Sequence, residues 1–331
     1  MNRSQALCEE LPYWEAEDNP FPHLILNDGS VSSGLELLPL DIECLDEGRV
    51  NQLTLALRSF VNSLPEGITA QLLVRVDTDF KDLVQRHIEL VKAPNEFLKE
   101  VDEARVRIIQ NQISSEQVFR PSLFLFLKTV NHKKPSAFSL SAMKRFSVEV
   151  EQGFEDRLLM LSQAIEGVSS QLGSLGLSVR QLDKNAIVEV LYRHLNPKRA
   201  NQLPAPVVKN DRCGVDYDST RSQLVFGDLV IDQEDFVLDR IRTKVLSLKT
   251  LPEMTFAGMM SGFLSFPFKY ELLFSFQVPD QHTEMKSLEQ KRRMAHSLAS
   301  STSNRVTDLE SESRLGQTTD LIREIIETGQ R

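Results

Sequence analysis

Residues able to do chemistry are plentiful in this chain, yet their spacing brings few of them together. The six histidines, His23, His87, His132, His194, His282 and His296, form no His-Glu-x-x-His run. That run would put two imidazoles on one helix face to hold zinc beside a carboxylate base. Cys8, Cys44 and Cys213 are odd in number and contain no Cys-x-x-Cys pair, which argues for a reducing compartment and against a structural zinc. Asp77-Thr78-Asp79 with Asp82 imitates the start of a calcium loop but lacks the mid-loop Gly and the closing Glu. A strand end followed by a helix N-cap accounts for it. No Gly-x-Ser-x-Gly elbow occurs. A phosphate cradle of the P-loop type needs Gly-x-x-x-x-Gly-Lys-Ser/Thr, because glycines let backbone N–H groups approach phosphate and the Lys reaches its outer oxygens. The chain has no Gly-Lys dipeptide at all. Gly167 to Gly176 (GVSSQLGSLG) closes a helix ahead of a strand, the wrong order for such a loop, and reads as a helix-ending turn. No catalytic, cofactor-binding or metal-binding residue is therefore expected. An enzyme whose site is assembled from sequence-distant acids, such as Asp228 and Asp232, stays open as the alternative.

Two stretches are candidates for binding rather than turnover. The uncharged run MTFAGMMSGFLSFPF, Met254 to Phe268, is rich in Met and Phe. It suits either a core between strands or an adaptable partner surface or membrane-facing patch, and exposure of Met259, Met260 and Phe263 separates core from interface. Lys291-Arg292-Arg293, with Glu284 and Glu289 close by, forms either a solvated helix face or a contact for acidic lipid or acidic protein, including the acidic front of a neighbouring copy.

The elements that must position these residues follow from apolar periodicity. His23 to Leu26, the turn Asn27-Asp28-Gly29-Ser30 and Leu35 to Leu38 predict a hairpin. Leu53, Leu57, Phe60, Val61 and Leu64 mark one helix face, stopped by Pro65 and Gly67. Ile68 to Val76 alternates as a strand, and helices are expected over Lys81 to Val91 and Asn95 to Gln117. Phe119 to Val130 sets Phe124 and Phe126 on one face and Leu123, Leu125 and Leu127 on the other, which predicts a central strand covered on both sides. Met143, Phe146, Val150, Phe154, Leu158, Leu161, Ile165, Val168 and Leu172 step at helical spacing. Gly173 and Gly176 end that helix, Leu177 to Leu182 makes a strand, and Asp183 caps a helix to Leu195.

The fold class expected is α+β: a mixed sheet with amphipathic helices packed on it, a second smaller α/β block, and a long polar C-terminal helix. The expected divisions are an acidic segment over 1–20 and a first subdomain over 21–195. A linker follows over 196–220, rich in Pro, Lys, Asn and Asp. A second β-rich subdomain covers 221–279, with strands at Leu224 to Phe226, Leu229 to Ile231 and Tyr270 to Val278, and a helical arm covers 280–331.

Composition narrows the function classes. At 331 residues, 41% apolar and 26% charged, the chain has room for two domains and should bury a core. Its longest uncharged run, 15 residues broken by Gly and Pro, falls short of the ~20 residues that span a bilayer. No basic-then-apolar leader opens the chain, so a cytosolic location without export is expected. Of the net charge of −9, residues 1–48 hold eleven acids against Arg3 alone, so the remainder is near neutral. A near-neutral bulk with an acidic front makes no electrostatic footprint for DNA, and no affinity beyond non-specific levels of about 10⁻⁴ to 10⁻⁶ M is expected.

The ordered segments LPYWEAEDNPFPHLILNDGSVSSGLELLPLD, the following helix with its LPEGI exit, LSVRQLDKNAIVEVLYRHLNPKR and SFPFKYELLFSFQVPDQHTEMKSLEQKRR resemble the N-terminal region of the TraC-type conjugative transfer ATPases, the assembly ATPases of type IV secretion systems. The likeness covers most of residues 8–315 and rests on patterned apolar segments and turns. In that family a RecA-like motor domain with the phosphate loop follows, and no position here matches it. The resemblance therefore implies a docking and assembly module, with ATP bound only in a motor domain absent from this chain. It further implies a place at the cytoplasmic face of the inner membrane, peripheral contact with the bilayer, and inner-membrane secretion proteins and other copies of itself as partners in pilus assembly and DNA transfer. A stand-alone scaffold is the variant of this reading without a motor.

Overall fold

The alternating run SLFLFLK fixes the middle of the architecture. In a computed structural model of the chain it lies in β5 (Arg120–Thr129). Leu125 and Leu127 enter one apolar core and Phe124 and Phe126 the other, as side chains on opposite faces of a pleated strand must. The structure describes residues 7–38, 46–91, 95–130, 140–209, 218–248, 259–278, 284–291, 293–294 and six positions between 313 and 323.

Along the chain these residues form α1 (Leu7–Glu10), β1 (Tyr13–Glu17), β2 (His23–Leu26), β3 (Val31–Leu38), α2 (Glu47–Ser63), β4 (Ile68–Asp77), α3 (Lys81–Leu90), α4 (Glu96–Ser114), then β5, α5 (Leu140–Ser174), β6 (Ser178–Gln181), α6 (Lys184–Leu195), α7 (Thr220–Leu224), β7 (Leu229–Ile231), β8 (Phe236–Leu238), β9 (Ile241–Thr243) and β10 (Tyr270–Gln277). The class is α+β. The main sheet runs β1-β2-β3-β5-β4-β10, with β6 sharing the β2 side of β3, and β7-β8-β9 form a small separate sheet. Where the sequence predicts a mixed sheet, every pairing among the described strands is antiparallel.

Local chemistry explains the boundaries. The hairpin turn between β2 and β3 closes through Leu26 N donating to Ser30 O at 2.9 Å, with Gly29 at φ 76°, a conformation that costs glycine little. Asp46, Asn95 and Asp183 cap α2, α4 and α6, accepting from Arg49 N, Leu98 N and Ala186 N. The glycine-rich end of α5 is a helix stop. Leu177 N donates back to Leu172 O at 3.2 Å around Gly176 at φ 83°, a Schellman closure with an apolar residue just past it.

One face of the sheet packs α5 through Leu161, Ala164, Ile165, Val168 and Leu172 against Leu35, Leu125 and Leu127. The other packs α6 through Ile187, Val188 and Tyr192, with Tyr13, Ala16 and Leu224. Tyr13–Glu17 is thus a strand of the main sheet, paired with β2, within the stretch expected to be an acidic lead-in. Its acids hide the alternation, for Glu15 is buried although charged. Leu224, expected to open a strand, instead ends α7. It is fully buried, and its carbonyl accepts from Asn196 Nδ2 at 2.8 Å. β10, expected beside the small sheet, pairs with β4 along its whole length.

By contrast, α3 and α4 bury no residue. They touch each other through His87 Nε2 and Asp102 Oδ1 at 3.1 Å and reach the sheet through Asp82 and Arg120. Among the described residues no helix is long and apolar enough to cross a membrane.

Candidate functional site

Polar groups distant in sequence meet at the β10 side of the sheet. Arg75 on β4 faces the α6 layer and is 5% exposed. An arginine there must find partners, because a guanidinium stays charged in any protein environment. Its Nε donates to Glu271 Oε1 on β10 at 2.7 Å, its Nη2 donates to Val190 O on α6 at 3.0 Å, and it lies 6.0 Å from the Phe124 ring centre. Glu271 stands directly opposite Arg75 in the β4–β10 register. Its other oxygen accepts from His194 Nδ1 at 2.6 Å. Burial pushes the Glu271 carboxyl up, but the His194 hydrogen bond and the Arg75 charge outweigh it and bring it down to about 2.

The preceding residue of α6, Arg193, gathers three further acids. Its Nη2 lies 2.6 Å from Asp79 Oδ2, its Nε 2.7 Å from Glu189 Oε1 and its Nη1 3.9 Å from Asp77 Oδ2. Asp77-Thr78-Asp79, the false calcium loop, is therefore an anchor for an arginine. Each network sets an arginine among carboxylates. A carboxylate that titrates near 2, as that of Glu271 does, is a poor proton acceptor at neutral pH, and the two networks together clamp β4, β10 and α6.

What the clamp holds in place is the apolar approach to β10. Met259 and Met260 are 38% and 37% exposed, and Phe263 is half-buried in a short 3₁₀ turn, Ser261–Ser265. Phe263 meets Phe266 edge-on, with centroids 5.4 Å apart. Phe266 stacks on Phe268 at 5.1 Å, and both rings meet Tyr270 edge-on at about 6 Å. Tyr270 Oη donates to Phe263 O at 2.6 Å, tying the ledge to the first residue of β10. Such offset and edge-on contacts stabilise aromatic clusters beyond their buried area. Phe266 and Phe268 nevertheless remain 39% and 52% exposed.

Of the other candidates, Lys291 and Arg293 are exposed on a helical stretch, and Arg292 falls outside the described residues. Met254 to Gly258 of the Met/Phe run also fall outside. Asp228 and Asp232 flank the two ends of β7, about 13 Å apart along an extended chain, and the fold does not bring them together. Among the described residues no three His, Cys, Asp or Glu gather as a metal site. A groove of about 520 Å³ lies against α5, lined by Phe21, Leu158, Ile165, Ser162, Glu155 and Glu166 among others. Among the described residues no His or Cys lines it.

Sequence reasoning missed Arg75, Glu271, Arg193 and His194. Arg75 and Glu271 each carried a local signal, a charge within an alternating strand.

The family described as TraC protein matches residues 7–318. No curated protein matches the chain.

Proposed function

We propose, from the premise that this chain belongs to the TraC family of F-type conjugation, that it is the docking and assembly module of a conjugative type IV secretion ATPase. Conjugation by type IV secretion is the family's setting. The docking role is our reading, and the observation that carries it is the Met259-to-Phe268 ledge. Its methionines and two of its phenylalanines stand exposed beside a strand clamped to the buried Arg75. Flexible thioethers and flat rings on a rigid base suit a partner surface, because Met adapts to varied contours and aromatic rings bury large area at low entropic cost. In this reading the partners are inner-membrane proteins of the secretion machine and further copies of the chain. The module sits at the cytoplasmic face of the inner membrane, and the exposed Lys291 and Arg293 meet acidic lipid or protein. ATP hydrolysis belongs to a motor domain outside these residues, and the module itself turns nothing over.

The test is co-purification of the protein with detergent-solubilised inner-membrane secretion proteins, alongside conjugation frequency in cells. Met259→Asp with Met260→Asp puts charge on the ledge without touching the core. Loss of co-purification and of transfer, with unchanged protein level, is expected. Undiminished co-purification and transfer would sink the docking reading.

A further inference from the structure

The outer edge of β10 is unusual for a strand that ends a sheet. It pairs with β4 through eight consecutive residues without a bulge, and among the described residues nothing pairs with its other side. Proteins that keep an edge solvated protect it with Lys, Pro, a bulge, a short strand or an inward-pointing charge. The sequence YELLFSFQ has no Lys, Pro or bulge and is eight residues long. Its single charge, Glu271, is turned to Arg75 and His194. Leu273, in mid-strand, is 63% exposed, and Phe274, on the opposite face, is 41% exposed.

The occupant this edge fits is its own image. Two identical strands related by a two-fold axis perpendicular to the sheet keep their faces, so directly opposed residues share a face and the axis passes through a residue pair. With the axis at Leu273, Tyr270 stands opposite Phe276 of the second copy and Leu272 opposite its Phe274. Both pairs repeat across the axis. These four residues lie on one face of β10, so two aromatic pairs and two leucine–aromatic pairs form there, and aromatic pairs directly opposed across strands are stabilising. On the other face Leu273 meets its own counterpart and Glu271 meets Ser275. No like charges are opposed. We infer that β10 pairs antiparallel with β10 of a second copy about a two-fold at Leu273, joining the two main sheets into one continuous sheet. This concerns copies of this chain alone and stands whether or not the ledge docks a membrane partner.

Because the axis places residue 273 against itself, charge at that position gives a specific test. Sedimentation equilibrium of the full chain is expected to show a concentration-dependent monomer–dimer equilibrium. Leu273→Lys and Leu273→Glu should each weaken it by roughly tenfold or more, since like charges then face each other across the axis. An equimolar mixture of the two variants should associate again, because Lys then faces Glu. Circular dichroism checks that both variants fold. Should either fail, Leu273→Asn replaces it, with weaker association again expected. A wild-type chain that stays monomeric overturns the inference, as does a Lys/Glu mixture that associates no better than the separate variants.

Discussion

Arg75 Nε donates to Glu271 Oε1 at 2.7 Å across 196 positions of sequence. The pair sits opposite in register, with Arg75 buried and the Glu271 side chain 29% exposed, so it acts where water screens it only in part. Removing one member leaves the other charge desolvated and unmatched, which costs more than the pair contributes. Glu271→Gln is expected to destabilise the fold by about 1 to 3 kcal/mol in urea unfolding. A change below about 0.5 kcal/mol would mean that the clamp does not hold β10.

The same carboxyl gives the fold an acid limit. Glu271 is depressed from its ordinary 4.5 to about 2 by His194 and Arg75 against the opposing effect of burial. A group with a lowered folded-state pKa stabilises fully above its unfolded value and loses that stability as pH falls toward the folded value. Unfolding free energy should therefore decline between about pH 4.5 and pH 2, and Glu271→Gln should flatten that decline. Parallel pH profiles of the two proteins would refute the assignment.

Asn196 ties three segments with one buried amide. Its Nδ2 donates to Tyr192 O at 3.0 Å and to Leu224 O at 2.8 Å, and its Oδ1 accepts from Phe226 N at 3.0 Å. Asn196→Ala strips partners from backbone groups at α6 and α7 and should cost about 2 to 4 kcal/mol by thermal or urea unfolding. Near-neutral behaviour would show that water replaces the amide.

Two glycines should answer the same substitution with opposite signs. A Cβ on Gly34 in β3 would come within 2.7 Å of a Phe126 ring carbon and 2.8 Å of a Leu182 methyl, whereas nothing lies within 4 Å of one on Gly167 in α5. Gly34→Ala is expected to destabilise by about 1 to 3 kcal/mol through overpacking. Gly167→Ala should stabilise by about 0.5 to 1 kcal/mol through helix propensity. Melting temperatures of the two variants settle both signs, and equal shifts would contradict the packing described for β3.

Periodic segments are legible from residue spacing alone. The opposed faces of β5, the α5 stripe from Phe154 to Leu172 and the Asp183 cap all lie where apolar spacing and side-chain chemistry put them. β1 escapes because acids interrupt its alternation while tertiary contacts bury Glu15. Leu224 escapes because a short apolar run fits a strand and the end of a helix equally well, and Asn196, 28 positions away, decides between them. Strand order and the clamp are invisible for a related reason. Nothing local in YELLFSFQ says that it lies on β4 rather than on β9, or that Glu271 meets an arginine from the first third of the chain. The Met/Phe ledge is legible as a segment, but its exposure is not.

The β4–β10 pairing also sets a timetable for synthesis. About 190 residues separate the end of β4 from the start of β10. At translation rates of ~5 to 20 residues per second, β4 waits on the order of 10 to 40 seconds for its outer neighbour. During that interval the ribosome presents a nearly assembled sheet with one apolar strand uncovered, a ready template for neighbouring nascent chains on the same message. A message broken before the codons for β10 would yield a polypeptide frozen in that exposed condition, a natural client for chaperones and proteases.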